Sequence, residues 1–155
     1  MRVRVDYEMA DAKLRLAGFM VVNQFLATSD SLRRALDLDP EDLLIVLTVA
    51  LGTVQRLMRS PDPDGLAIAP SWLDIDQIVP VSRRAVARAT NLPRETARRR
   101  VADLIKRGIL TELDGGLRSA QRLVLDPDVR LAIHEMLERL AGTCRLLAKE
   151  GVLIE

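Results

Sequence analysis

SRRAVARATNLPRETARRRVADLIKRGIL, residues 82–110, contains two helical patterns separated by a turn. Ser82 is a capping type, and it precedes a short helix expected to turn Ala85, Val86 and Ala89 inward and to end at Asn91-Leu92. Pro93 suits the first turn of the next helix, where its missing N–H costs nothing. In that helix Ala97, Val101, Leu104 and Ile105 recur at spacings that form one apolar stripe, and Gly108 stops it. Beyond Gly108 the pattern becomes short β-type runs: Ile109 to Leu113, then Asp114-Gly115-Gly116, then a run ending in Arg122 to Leu125. Asp-Gly signals a hairpin because a tight type I′ turn needs positive φ at both central residues.

The same stretch concentrates positive charge. Between Ser82 and Arg107 nine basic residues face only Glu95 and Asp103, a local +7 in a chain whose formal total is +1, so the remainder carries −6. Attraction to a polyanion follows the local field, which salt screens beyond roughly 8–10 Å, and the small total does not oppose it. Twenty of the 23 basic residues are arginine, whose planar fork suits bidentate contacts, although codon bias produces the same excess.

Outward from this stretch the rest reads as helix. Ala12, Leu16, Phe19, Met20 and Leu26 have helical spacing, giving a first helix from about Ala10 to Ala27 that Thr28-Ser29-Asp30-Ser31 breaks. Asp39-Pro40-Glu41-Asp42 combines an N-cap, a first-turn proline and acids at the positive end of the helix dipole. It starts a helix reaching about Arg59, apolar nearly all round and so expected to be the most buried element. Ser60 to Pro80 holds four of the seven prolines and is expected to be a connector, with Trp72 an anchor onto the core or a partner contact. Asp126-Pro127 restarts a helix whose stripe of Val129, Ile133, Met136, Leu137, Leu140, Cys144 and Leu147 runs to about Lys149, with Gly151 just beyond.

Length and 48% hydrophobic content fit one domain with a single core, and 3% aromatics make that core aliphatic. The expected division is an N-terminal helical extension over 1–38, a core over 39–125 with its basic helix at about 93–107 and hairpin at about 109–125, and a C-terminal helix over 126–155 that could pair two chains. The fold class is mainly α, a winged helix-turn-helix with a small hairpin and flanking helices. Leu43 to Val54, the longest apolar run, is shorter than the roughly 18–20 residues a bilayer requires, so no membrane span is expected. With no secretory pattern at the N-terminus and one cysteine, Cys144, a cytoplasmic protein without disulfides is expected.

Helix geometry assigns candidate roles. With Ala97, Val101 and Leu104 inward, steps of about 100° place Glu95, Arg99 and Lys106 outward, Thr96 beside them, and Arg98 and Arg100 on the flanks. In a helix-turn-helix the second helix enters the major groove of double-stranded DNA. Glu95, Thr96 and Arg99 are therefore the candidates for base edges. Arg83, Arg84, Arg94, Arg98, Arg100 and Lys106 are candidates for phosphates, with Arg118 and Arg122 serving the hairpin.

At these residues the chain resembles the bacterial winged helix-turn-helix regulators of the GntR and MarR types. The shared pattern is carried by Ser82, Ala87, Leu92, Pro93-Arg94-Glu95-Thr96, Arg98-Arg99, Leu104 and Gly108-Ile109-Leu110. GntR-type proteins carry a large effector domain after the wing, and only thirty residues follow Leu125, so size and layout are more MarR-like. That resemblance implies a sequence-specific transcription regulator acting as a homodimer on a palindromic site, often under a small ligand; the identity of any small-molecule or protein effector stays open. The alternative is a winged-helix adaptor that binds protein without reading DNA. No phosphate-cradling loop, nucleophile motif, cofactor motif or metal-ligand cluster occurs, so neither an enzyme nor a metal or cofactor is expected, and His134 reads as an interface or partly buried histidine.

Overall fold

The computed structural model describes residues 3–59 and 78–155. Trp72 and nearly all of the expected connector lie outside them. The protein is mainly helical with a small antiparallel hairpin. Its residues cluster into two compact units, Asp37–Arg130 and Met1–Leu36 with Leu131–Glu155.

In the first of these, α3 spans Pro40–Met58, α4 Arg83–Thr90 and α5 Arg94–Lys106; β2 (Leu110–Leu113) and β3 (Gly116–Ser119) form the hairpin. Asp39 caps α3 as its sequence predicts, its carboxylate accepting the Asp42 N–H at 2.9 Å. Leu43, Ile45, Val46 and Val49 turn into the core, while Leu44 and Leu51 stay more than half exposed, so α3 is buried on one side rather than all round. Thr53 is buried too, and its hydroxyl donates to the Val49 carbonyl at 2.6 Å. Ser82 caps α4 by accepting the Ala85 N–H at 3.1 Å, and Asn91 ends it in the left-handed region, φ 54°. Val86 and Ala87 are the inward residues of α4; Ala85 and Ala89, expected inward, face solvent. Three residues later α5 begins. Pro93 occupies its N-cap position, and Gly108 at φ 72° lets the chain turn out after it.

The hairpin turn is Asp114-Gly115, φ 48° and 77°, with Leu113 opposite Gly116, the positive-φ pair that a two-residue loop demands. Gly116 therefore starts a strand, and a β-carbon there would stand 2.5 Å from that of Pro80. Val81 exchanges two 2.8 Å backbone hydrogen bonds with Leu117 and extends the ladder by one residue. The second expected β-run is shorter than its sequence suggests. Gln121–Leu125 is a 3-10 helix, so Arg122 is not a strand residue.

In the other unit, β1 (Arg4–Val5) pairs antiparallel with β4 (Leu153–Ile154), a two-residue ladder too short for periodicity to reveal. Lys13 fastens the same end, its ammonium donating to the Glu150 carboxylate at 2.8 Å and carbonyl at 2.9 Å. That ammonium holds the Glu150 carboxyl below its ordinary value. A short α1, Tyr7–Ala12, precedes α2, which spans Leu14–Leu36. α2 runs straight through Thr28-Ser29-Asp30-Ser31, where the sequence predicts a break. Thr28 accepts a 3.2 Å hydrogen bond from Gln24 and Asp30 pairs with Arg34 one turn on at 3.1 Å, so these two polar side chains find partners within the helix, while Ser31 is buried with its hydroxyl unpartnered among the described residues. α6, Pro127–Lys149, starts on the Asp126 cap and ends before Gly151 at φ 76°, as expected.

Candidate nucleic-acid interface

α5 is the basic helix, and its two faces differ sharply. Ala97, Val101 and Leu104 are at most 2% exposed, and at roughly 1.5–3 kcal/mol for burying each large aliphatic side chain they set which way the helix can turn. The opposite surface then presents Arg94, Glu95, Arg98, Arg99, Ala102, Asp103 and Lys106 to solvent, with Thr96 half-buried at its edge.

The three consecutive arginines have three different fates. Arg99 is exposed and makes no salt bridge or side-chain hydrogen bond among the described residues. Arg98 is also exposed, but its guanidinium folds back one turn onto Glu95 through bonds of 2.9 and 2.6 Å. The Arg98 hydrogen bonds and charge, with a smaller contribution from Arg99, hold the Glu95 carboxyl below its ordinary value. Arg100 turns to the N-terminus of α3. There it bonds Asp39 at 2.7 Å and Asp42 at 2.9 Å and pairs with Glu41. Hydrogen bonds and charge from Asp39 and Asp42 raise its pKa, the Asp39 hydrogen bond most, against the opposing effect of burial. At Asp39 burial pushes the carboxyl up, but the Asp42 N–H and the Arg100 guanidinium outweigh it, and the net shift is downward. The flank position assigned to Arg100 by helix geometry thus faces an acid cluster, and that guanidinium is already committed within the chain.

The remaining candidates divide in the same way. Arg84, Arg94 and Lys106 are exposed and make no salt bridge or side-chain hydrogen bond among the described residues, whereas Arg83 pairs with Glu112 across to the hairpin. Arg118 stands opposite Thr111 in mid-strand, half-buried, with its Nε enclosed and without a hydrogen-bond partner among the described residues. Arg122 bonds the Gly108 carbonyl at 3.0 Å and reaches that of Arg107 at 3.5 Å, so it caps the C-terminal end of α5 instead of extending from the hairpin. The hairpin tip itself carries Asp114 and no cation.

Two features escape the sequence argument. Arg88, exposed on α4 without a salt bridge or side-chain hydrogen bond among the described residues, belongs with the outward cations; its place in the +7 window was the available signal. The Asp39-Glu41-Asp42 cluster is legible as a helix start, but its second use, seizing an arginine about sixty positions later, depends on tertiary packing. Among the described residues no group of three or more His, Cys, Asp or Glu could hold a metal ion, and no helix is long and apolar enough to cross a membrane. His134 and Cys144 are exposed on α6. No family model, no curated protein and no solved structure matches the chain.

Proposed function

We propose that the chain binds double-stranded DNA in a sequence-specific manner as a transcription regulator, with α4, α5 and the hairpin acting as a winged helix-turn-helix. The observation that carries this is the outward row of Arg94, Arg99 and Lys106 on α5, joined by Arg84 and Arg88 on α4, unclaimed by carboxylates and set on a helix whose other face is sealed. The sequence resemblance to GntR- and MarR-type regulators supports the same reading. Arg99 reaches the groove floor, where a fork of donors matches a guanine edge, and Thr96 lies beside it. Glu95 enters with Arg98 attached, and the pair can part so that Glu95 accepts from a base and Arg98 takes a phosphate. Arg84, Arg88, Arg94 and Lys106 contact backbone. Arg118 is the hairpin's phosphate contact, and Asp114 keeps the tip itself away from the strand. Arg83, Arg100 and Arg122 hold the frame.

A second reading, a winged-helix adaptor that binds an acidic protein, is favoured by the internal neutralisation of Arg83, Arg98 and Arg100. Selection of bound duplexes from a random pool, followed by fluorescence anisotropy over a salt series, separates the two. Regulator activity predicts a recovered consensus and affinity that falls steeply with salt. Absence of duplex binding at low salt would exclude it and leave the adaptor.

A further inference from the structure

We infer that the Glu95–Arg98 pair is a lock on α5, which withholds Arg98 from phosphates until Glu95 meets the amino group of a cytosine. The inference rests on the DNA-binding reading above and concerns how that surface tells one site from another. Arg83 and Arg100, the other arginines of α4 and α5 held by carboxylates, tie separate elements together, one reaching Glu112 of the hairpin and the other Asp39 and Asp42 at the start of α3. Glu95 and Arg98 join nothing. They stand one turn apart on the same helix with side chains 75% and 65% exposed, and the orientation of that helix is already set by buried Ala97, Val101 and Leu104. An exposed pair at this spacing adds little to stability, so the fold does not depend on it.

The carboxylate has a choice of partner. Arg98 follows it by three residues and Arg99 by four, and both spacings bring side chains together on a helix. Both oxygens go to Arg98, 2.9 Å from its Nε and 2.6 Å from a terminal nitrogen, so the flank arginine is held and the outward one is spared. Closed, the pair carries no net charge toward a phosphate. Opening it beside the DNA strands frees a cation but leaves a carboxylate facing charges of its own sign, and that repulsion keeps the pair shut unless something accepts Glu95.

Cytosine is the base that does so. An ionised carboxylate only accepts hydrogen bonds, while guanine and thymine turn acceptors into the major groove and adenine sets its N7 acceptor beside its N6 amino group. Cytosine offers its N4 amino group with no acceptor of its own next to it. Its paired guanine then presents O6 and N7, which suit the fork of Arg99 one turn along α5. With Glu95 taken by cytosine, Arg98 passes to a phosphate, and the complex gains a base contact and a backbone contact in one event. At any other pair the lock stays closed and both are forgone. Discrimination is therefore larger than the base contact alone supplies, and unselected DNA is held by one cation fewer.

The test uses the full chain with a duplex recovered from the random pool and a duplex of unselected sequence, anisotropy being read over a salt series. Each phosphate neutralised adds about 0.9 to the slope of log affinity against log salt, so the selected duplex should give the steeper slope by that amount. Glu95→Gln, which has no charge with which to hold Arg98, should bind the unselected duplex about threefold to tenfold more tightly near 0.1 M salt, with the same increment of slope. Arg98→Ala should lose the increment on the selected duplex. Changing to T·A the C·G pair whose preference Glu95→Gln relaxes should return the unaltered chain to the shallower slope. A Glu95 that served only the helix dipole would move stability and leave every slope alone. Equal slopes on the two duplexes for the unaltered chain, or a Glu95→Gln slope on unselected DNA no steeper than the parent's, would overturn the lock and leave the DNA reading standing. Absence of duplex binding at low salt would overturn both.

Discussion

The two units close their cores to very different degrees. Among the described residues, all seven of the largest fully buried side chains, Ile45, Val49, Val86, Val101, Leu104, Leu110 and Leu117, belong to Asp37–Arg130, whereas fifteen of the twenty exposed large hydrophobics lie in the other unit. The first unit covers most of its apolar side chains with its own chain, Leu44, Leu51, Met58, Val79 and Leu125 excepted, and presents charge over much of its remaining exterior. The second leaves apolar surface uncovered, and burial of that surface depends on something besides this copy. Self-sufficient packing and exposed arginine occur together, as do incomplete packing and an uncharged helix face.

The largest effect expected from testing this contrast comes from paired truncations. Leu104→Ala, in the closed core, should cost about 2–5 kcal/mol in denaturant titrations at any protein concentration. Leu137→Ala, 57% exposed, should cost far less, and equal costs would break the contrast. Next comes Gly116→Ala. Its β-carbon would stand 2.5 Å from that of Pro80 and 3.1 Å from the Pro80 carbonyl carbon, so about 1–3 kcal/mol should be lost by the same titration.

Asp39→Asn keeps a capping acceptor but gives up the pairing with Arg100, and solvent screening limits the loss to less than about 1 kcal/mol. Its sign with pH is fixed. The folded Asp39 carboxyl lies below its ordinary 3.8, so the stabilisation is complete above that value and disappears as pH falls through the lower folded value. The two proteins should therefore differ near neutrality and converge in acid, and a gap that widened in acid would refute the assignment. Smallest in stability is Arg99→Ala, within about 0.5 kcal/mol of the parent by denaturation. In duplex binding it should cost about 1–3 kcal/mol and relax preference at one base pair, measured by anisotropy against single-position variants of the selected site.

Local chemistry was legible from sequence wherever one residue type had one backbone use. Asp39, Ser82 and Asp126 each cap the helix they precede, Gly108 and Gly151 lie just beyond helix ends, and Asp114-Gly115 makes the turn, because caps and positive-φ positions are settled within a few residues. The faces of α5 were legible too, since 3.6-residue periodicity fixes them. Misreadings arose where polar residues had more than one use. Thr28 to Ser31 read as a break yet continue α2, and Arg122 read as a hairpin arm yet caps α5.

What the sequence alone determined is thus the order of the larger helices and the hairpin, the caps that start α3, α4 and α6, and the inward stripe of the basic helix, all governed by short-range sterics and periodicity. The tertiary structure decided which charges remain available. Arg98, Arg99 and Arg100 are chemically identical neighbours, and a helix step of 100° delivers one to Glu95, one to solvent and one to the carboxylates at the start of α3. Coulombic partnership depends on distance in space, and only the folded chain sets that distance.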